Sequence, residues 1–181
     1  MREYKAITKN IIATTVIPTP LGKMFAASTN KGICMLTFYN EQTIQKQIKK
    51  LKKFFDGDIM PAQNQHFAVL KKELDEYFEG KREVFEVPLQ LVGTPFQQKV
   101  WKILMAIPYA NTISYQEQAG LINNIKAVRA VANANAQNMI AILIPCHRVI
   151  GKNGKLTGYA GGLDKKEFLL NLEEKCVCTQ H

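Results

Sequence analysis

The pattern of the chain changes at Gly93, and this change limits the folds that the sequence can adopt. Before Gly93, short apolar segments alternate with turn-forming residues, and after it one helix-start signal follows another. Runs of strands followed by runs of helices are typical of α+β proteins. We therefore predict an α+β protein with a small sheet-and-helix domain at 1–88, a mainly helical domain at 89–175 and a short C-terminal tail at 176–181.

Strands and helices are both expected in the first domain. Residues 11–17, 23–28 and 33–38 form three short apolar segments separated by Pro, Gly and Asn, which is the pattern of strands joined by turns. A helical period predicts helices at 41–55 and 67–79, and 84–89 has the composition of a further strand. The first helix has lysines on its polar face, which either lies in solvent or contacts DNA phosphates. These lysines are Lys46, Lys49, Lys50, Lys52 and Lys53.

The second domain is marked by capping boxes, in which a Ser, Thr or Asp is followed three residues later by Glu or Gln. The boxes at Thr94, Ser114 and Asp164 predict helix starts. The last helix is expected to have Phe168, Leu169 and Leu172 facing inward and to end before Cys176. A third, alanine-rich helix is predicted at 126–137. A short helix, a turn and a helix of small residues form the pattern of a helix-turn-helix, although alanine-rich faces also occur where helices pack closely.

Five apolar residues at 140–144 predict a buried strand that Pro145 ends. Directly after Pro145 come Cys146, His147 and Arg148. Cysteine is a nucleophile as the thiolate, and a neighbouring base or cation lowers the pKa of its thiol. His147 could be the base and Arg148 the cation. From these residues alone, a structural cysteine at a strand end remains the alternative to a reactive one.

Charge and cysteine use indicate the partners. The 24 basic and 15 acidic residues give a formal charge of +9, which favours a polyanion such as nucleic acid. No apolar run approaches the roughly 18 residues of a membrane span, so no membrane partner is expected. The four cysteines have no disulfide-framework spacing, which fits a reducing compartment and predicts a cytoplasmic location. Cys34 and His66 are too few for a zinc site in the first domain, so we expect no metal or cofactor, and His66 is expected at the surface.

Four segments together resemble the O6-alkylguanine-DNA alkyltransferases, also called methylated-DNA–protein-cysteine methyltransferases. They are Pro-Cys-His-Arg-Val at 145–149, Gly-Thr-Pro-Phe-Gln-Gln-Lys-Val-Trp at 93–101, Ser-Tyr-Gln at 114–116 and Gly-Tyr-Ala-Gly-Gly-Leu at 158–163. Their order and spacing are those of the family. The resemblance implies a ribonuclease-H-like first domain and a winged-helix-like second domain. It also implies a DNA repair protein that flips O6-alkylguanine out of duplex DNA and transfers the alkyl group irreversibly, in a single turnover, to Cys146.

The resemblance also implies a role for individual residues. His147, oriented by Glu173, draws the thiol proton of Cys146 through water, and the Tyr115 phenol donates a proton to the leaving guanine. Arg129 fills the place of the flipped base, while the small Ala127 and Ala130 let the helix approach the minor groove. The resemblance gives further residues two roles: one DNA-binding residue braces the active-site turn, and the others form the alkylguanine pocket. They are Asn138 for the brace and Pro145, Val149, Tyr159, Ala160, Gly161 and Lys166 for the pocket.

Some positions depart from the family pattern, and two other functions stay open. Ala132 and Met139 stand where many members carry glycine and proline, and Ala160 stands where some carry serine. A non-catalytic DNA-binding module would not need Cys146. A cysteine hydrolase would use Cys146, His147 and Glu173 with turnover. The expected partner is duplex DNA containing O6-alkylguanine, with O4-alkylthymine as a further substrate, and the expected state is a monomer.

Overall fold

The computed structural model describes residues 10–178 and confirms a sheet-and-helix part followed by a helical part. The strands are β1 (Asn10–Thr19), β2 (Gly22–Thr29), β3 (Gly32–Phe38), β4 (Gly57–Pro61), β5 (Ile113–Ser114) and β6 (Val149–Ile150). The α-helices are α1 (Glu41–Phe55), α2 (Gln65–Phe78), α3 (Pro95–Met105), α4 (Tyr115–Leu121), α5 (Val128–Ala136) and α6 (Leu163–Cys178). No helix among residues 10–178 is long and apolar enough to cross a membrane.

The larger sheet has the strand order β3-β2-β1-β4. The first three strands form an antiparallel meander, and β4 returns parallel to β1 after the α1 crossover. Helix α1 ends because Asp56 adopts a left-handed conformation at φ 46° and donates its N–H to the Lys52 carbonyl. The sequence did not predict β4, because Asp58 and Pro61 interrupt its apolar pattern. An edge strand tolerates both residues.

The two parts of the chain share one hydrophobic core. Buried residues of the sheet and α2, such as Leu36 and Leu74, belong to the same cluster as Trp101, Leu104 and Leu143 of the helical part. Main-chain bonds also join the parts, because Leu36 donates to the Met139 carbonyl at 2.7 Å and accepts from the Ala141 N–H at 2.8 Å. The division at 88/89 is therefore a division of the sequence pattern, and the core runs across it.

Two of the predicted strands are wrong. Residues 140–144 are buried, but they form one bridge, between Ile140 and Leu36, and then turn. Ile142 has φ 72°, which a strand cannot contain. Residues 84–89 likewise contribute one bridge, between Leu89 and Ile33. An apolar run predicts that a segment is buried, but a buried strand and a buried turn have the same apolar composition, so the run does not distinguish them.

The helix at 126–137 divides into a 3₁₀ turn at Ile125–Ala127 followed by α5. The last helix differs more from its prediction. It begins at Leu163, so Asp164 lies in its first turn and is not the cap, and it continues to Cys178. The prediction that 176–181 is a tail beyond the helix is thus wrong for 176–178, and 179–181 lie outside the described residues. Cys176 on this extension lies against Gly80, where an added side chain would collide with the Cys176 sulfur.

Two side chains lie elsewhere than expected. His66, predicted at the surface, is 7% exposed, and its Nε2 lies 3.3 Å from the Asn30 carbonyl. Phe168, predicted to face inward, is 41% exposed, while its neighbour Leu169 is fully buried. The inward face of α6 is formed by Lys166, Leu169 and Glu173, which lie three or four positions apart and are fully buried.

Candidate active site

Cys146 lies at the end of a tight turn that Asn138 holds together. The Asn138 side chain accepts the Ile140 N–H at 2.9 Å and donates to the Ile144 carbonyl at 2.9 Å. The same amide nitrogen lies 3.4 Å from the Cys146 sulfur, within hydrogen-bonding distance. Because Asn138 is buried, these bonds fix both the turn and the position of the thiol.

The surroundings of Cys146 act on its thiol in opposite directions. Burial raises the pKa of the thiol, while the Asn138 hydrogen bond and the Lys166 ammonium lower the pKa, with a smaller effect. The sequence suggested Arg148 as the neighbouring cation. In the structure its guanidinium binds Glu173 and the Ile107 carbonyl instead, and Lys166 is the cation that acts on the thiol. The resting residue is therefore a thiol, and its reaction needs a base.

His147 has the geometry of such a base. It is fully buried, and its Nε2 lies 2.8 Å from Glu173 Oε1. A carboxylate accepts hydrogen bonds, so Nε2 carries the ring proton and Nδ1 is left with a lone pair. Among residues 10–178 nothing donates to Nδ1, which is buried. Burial lowers the pKa of His147, more than Glu173 raises that pKa, and the imidazole is neutral at neutral pH.

Glu173, on α6, is a fully buried carboxylate surrounded by donors. Its Oε1 accepts from Tyr77 at 2.7 Å, from His147 and from Arg148 at 3.0 Å. Its Oε2 accepts from Arg148 Nε at 3.0 Å and from the Ala110 N–H at 3.1 Å. These bonds and the Arg148 charge outweigh the burial, and the pKa of Glu173 falls to about 2. The carboxylate is thus ionised at any physiological pH.

A cleft of about 650 Å³ opens beside Cys146, within the range of pockets that hold small ligands. One side is formed by the 157–160 loop and the other by α5, with Tyr115 and Cys146 between them. Its lining residues are Tyr115, Val128, Arg129, Ala132, Asn135, Ala136, Cys146, Thr157, Gly158, Tyr159 and Ala160. The volume is sufficient for one nucleobase with its substituent.

The phenol of Tyr115 lies at this cleft because its helix begins there. Ser114 caps α4 in a capping box with Glu117, as the sequence predicted, so Tyr115 is the first helical residue. Its hydroxyl donates to the Thr157 carbonyl at 3.3 Å. Burial raises the pKa of Tyr115, so the phenol keeps its proton. Lys166 donates to the same carbonyl at 2.8 Å and thereby holds the 157–160 loop near the phenol.

Helix α5 forms the exposed side of the cleft. Arg129 and Ala130 are exposed at its first turns, and Ala127 is half-buried just before it. The helix is anchored from behind: the Trp101 indole donates to the Ala134 carbonyl at 2.8 Å, and Gln118 and Asn135 exchange two side-chain hydrogen bonds. Ala130 and Arg129 therefore face outward from a firmly held helix, and α4 and α5 follow one another in the order of a helix-turn-helix.

The predicted pocket residues divide into two groups. Tyr159 and Ala160 line the cleft. Pro145 and Val149 are buried beside the turn, Gly161 packs on the Phe38 ring, and Lys166 is buried with its ammonium on the carbonyls of Val149 and Thr157. These four residues support the walls of the cleft from behind.

Sequence reasoning missed some residues of the site and gave another residue a different role. Tyr77 contacts Glu173 from the other half of the chain, and its place in an apolar helical period gave no sign of this. Asn135 and Thr157, which line the cleft, were not predicted either, and Arg148, predicted as the cation beside the thiol, binds Glu173 instead. The position of Thr157 directly before the Gly158 loop was the one available signal. Within residues 10–178, no group of three His, Cys, Asp or Glu side chains could hold a metal ion.

Known proteins resemble both parts of the chain. Residues 12–91 match the ribonuclease-like domain of 6-O-methylguanine DNA methyltransferase, and residues 95–175 match its DNA-binding domain. The methylated-DNA–protein-cysteine methyltransferase of Methanosarcina acetivorans is 44% identical over 89% of this chain and 97% of its own length. The constitutive enzyme of that name from Bacillus subtilis is 42% identical over 88% of this chain and 93% of its own length.

Solved structures agree with the sequence matches. Mycobacterium tuberculosis OGT in complex with DNA superposes with a TM-score of 0.76 at 38% identity, covering 92% of this chain and 94% of that one. The Mycobacterium tuberculosis O6-methylguanine methyltransferase gives a TM-score of 0.74 at 38% identity, covering 91% of this chain and 93% of that one. The likeness thus extends over the sheet, the cleft and the helix-turn-helix together.

Proposed function

The chain belongs to the 6-O-methylguanine DNA methyltransferase family, and on this premise we propose that it repairs DNA by transferring an alkyl group from O6 of guanine to its own Cys146. It is a methylated-DNA–protein-cysteine S-methyltransferase. The observation that carries the assignment of residues is the cleft: its floor is the Cys146 thiol, and the buried His147–Glu173 pair lies behind that thiol.

The base must first leave the duplex, because O6 of guanine is not accessible within the stack. Helix α5 is the element we assign to the DNA. Arg129 lines the cleft and is exposed, so its guanidinium can fill the space that the flipped base vacates. The small side chains at Ala127 and Ala130 allow close approach of the helix backbone in a narrow minor groove.

The flipped base then lies between the 157–160 loop and α5. Tyr159 and Ala160 form the loop side of this pocket, and we assign the Ala160 main-chain N–H to O6, a contact that any residue type can make. Pro145, Val149, Gly161 and Lys166 keep the pocket in shape from behind. The Asn138 bonds hold the Cys146 sulfur where the alkyl carbon arrives.

The transfer is an in-line displacement at the alkyl carbon. His147 Nδ1, the lone-pair nitrogen, takes the thiol proton through a water molecule, and Glu173 stabilises the imidazolium that forms. The sulfur bonds to the alkyl carbon as the carbon–O6 bond breaks, and the electron pair passes to the guanine. The Tyr115 phenol protonates a ring nitrogen of the leaving guanine. The products are guanine in DNA and a thioether at Cys146.

The thioether has no hydrolytic exit, so each molecule acts once. All the groups that we assign come from one chain, which supports a monomer as the acting unit. O4-alkylthymine offers the same alkylated exocyclic oxygen, and we propose it as a second substrate. A DNA substrate and a catalytic thiol that must stay reduced support action in the cytoplasm.

Intact mass tests this function most directly. The protein is incubated with a duplex containing one O6-methylguanine, and with the same duplex containing guanine. Addition of one methyl group with the first duplex and none with the second is expected, and peptide mapping should place it on Cys146. Repair of many lesions by one molecule would indicate a hydrolase, and lesion binding without a mass change would indicate a non-catalytic DNA-binding module.

A further inference from the structure

The catalytic carboxylate is held from both halves of the chain. Four of the five hydrogen bonds to Glu173 come from the helical part, through His147, Arg148 and the Ala110 N–H. The fifth is donated by Tyr77, on α2 of the sheet domain, 96 residues away, at 2.7 Å to Oε1. This is the same oxygen that binds His147 Nε2.

Tyr77 is fixed more firmly than a surface tyrosine could be. It is fully buried, and its ring packs on the rings of Phe85 and Tyr109, with centroids 5.3 Å and 6.1 Å away. Burial, followed by the charge of Glu173, raises the pKa of Tyr77 well above its ordinary value. The hydroxyl therefore stays protonated, and toward a carboxylate it can only donate.

The bond acts on His147 through Glu173. Three donors share Oε1, and with Tyr77 in place the carboxylate cannot rotate to offer His147 a different oxygen. A fixed Oε1 holds the imidazole in one orientation with its proton on Nε2, and this leaves Nδ1 as the base. A small misorientation of the imidazole should lower the rate of alkyl transfer strongly, because proton transfer depends on the alignment of donor and acceptor.

We propose that Tyr77 is a positioning residue for alkyl transfer, by which the sheet domain fixes the Glu173 carboxylate that orients His147. This inference rests on the proposed function, because it gives His147 the part of the base. It also assigns the sheet domain a part in the chemistry. That domain contributes none of the residues that line the cleft.

The pH dependence of transfer distinguishes this role from simple packing. The charged groups that act on His147 are Glu173 and Lys166 from α6 and Arg148 beside it. Removing the Tyr77 hydroxyl leaves the Glu173 charge less well compensated, so Glu173 attracts the imidazolium more strongly and the pKa of His147 rises. The base is active when neutral, and the acid limb of the rate profile should therefore move to higher pH.

Tyr77→Phe keeps the ring and removes the one hydroxyl. Tyr109→Phe is the matched control, because it removes a hydroxyl from the same aromatic cluster that makes none of the five bonds to Glu173. Single-turnover rates with an O6-methylguanine duplex and with free O6-benzylguanine are measured between about pH 5 and pH 9, the range in which histidine titrates. Melting temperatures of both variants are recorded beside the rates.

The wild type is measured first, and absence of a Cys146 adduct there would refute the proposed function and not this inference alone. Given wild-type transfer, Tyr77→Phe should be roughly tenfold slower on both substrates, less than the 10²–10⁴ expected for loss of the base itself. Its acid limb should move upward, while Tyr109→Phe keeps the wild-type rate and limb. A lower melting temperature of Tyr77→Phe with an unchanged rate and an unchanged acid limb would overturn the inference.

Discussion

The two sides of the reaction centre differ in how their polar groups are used. Behind Cys146, the side chains of His147 and Glu173 are fully buried and Arg148 is nearly so, and every acceptor site of the carboxylate has a donor. Across the cleft, α5 presents Arg129 to solvent. The chemical side is thus organised before substrate arrives, while the DNA side keeps its charge hydrated until phosphates or bases replace the water.

This difference separates chemistry from extrusion. Groups in the buried network should affect transfer to any alkylated purine, whether in DNA or free, because their geometry does not depend on the duplex. Groups on α5 should affect the duplex alone, because a free base needs no extrusion. The following variants test this separation, beginning with the largest expected effect.

Cys146→Ser should abolish transfer on duplex and free base alike. An alkoxide is far harder to form than a thiolate at neutral pH, and the buried base cannot compensate. Lesion binding should remain, because the cleft and Arg129 are unchanged. Intact mass and a DNA-binding assay measure the two properties. Cys34→Ala, which removes a buried thiol that does not line the cleft, should transfer normally, and an alkyl adduct on any cysteine other than Cys146 would contradict the mechanism.

Glu173→Gln should slow transfer roughly 10³-fold, within the range for loss of general-base function. One carboxylate oxygen becomes an amide group that cannot accept, so at least one donor among Tyr77, His147 and Arg148 loses its partner. The free base should be affected as strongly as the duplex. Glu174→Gln, at the exposed neighbouring position on α6, is the control and should behave as wild type. A defect of Glu173→Gln on the duplex alone would show that the buried network also acts in DNA binding or base extrusion, and would contradict this separation.

Tyr115→Phe should slow transfer roughly 10²-fold and leave duplex affinity within a factor of about two, because the ring survives and the proton donor is lost. Tyr115 stands where the two sides meet, so this variant sharpens the comparison. Tyr39→Phe, at an exposed tyrosine outside the cleft, serves as the control. Equal losses of affinity and of rate would place Tyr115 on the DNA side.

Arg129→Ala should slow repair of the duplex roughly tenfold, which is about 1.4 kcal/mol and so a part of the few kcal/mol that extrusion of the base costs. Its reaction with free O6-benzylguanine should stay within about twofold of wild type. Lys126→Ala removes another exposed cation just before α5 and should weaken duplex binding without changing the ratio of the two rates. Equal effects of Arg129→Ala on both substrates would mean that Arg129 supports the chemistry or the fold.

The buried side should also make stability depend on pH. The pKa of Glu173 is about 2 in the folded protein and about 4.3 in the unfolded chain. Above the unfolded-state pKa, ionised Glu173 therefore makes its full contribution to the free energy of unfolding. This contribution is lost as pH falls toward 2, by roughly 3 kcal/mol. The free energy of unfolding of the wild type and of Glu173→Gln is measured as the pH is lowered. The variant should lack the part of the stability loss at low pH that comes from protonation of Glu173. Parallel curves would show that the pKa of Glu173 is the same in the folded and the unfolded protein.

Local signals in the sequence were sufficient for much of the fold. The boxes at Thr94 and Ser114 form as predicted, because a cap joins residues only three positions apart. The strands of the meander and helices α1 and α2 follow their apolar periods. At Asp164 the same signal failed. Gly162 has φ 97° and its carbonyl accepts the Lys166 N–H, so α6 begins at Leu163, two residues earlier than a cap at Asp164 allows.

The sequence by itself determined the reactive segment, because Cys146, His147 and the residues that follow are adjacent in the chain and their order is visible in it. Only the tertiary structure decided what surrounds them. It turned the apolar run at 140–144 onto the edge of β3, although apolarity specifies burial and not shape. It also brought Tyr77 and Glu173 together, because a hydrogen bond across 96 residues depends on how two helices pack and leaves no periodic trace in either helix.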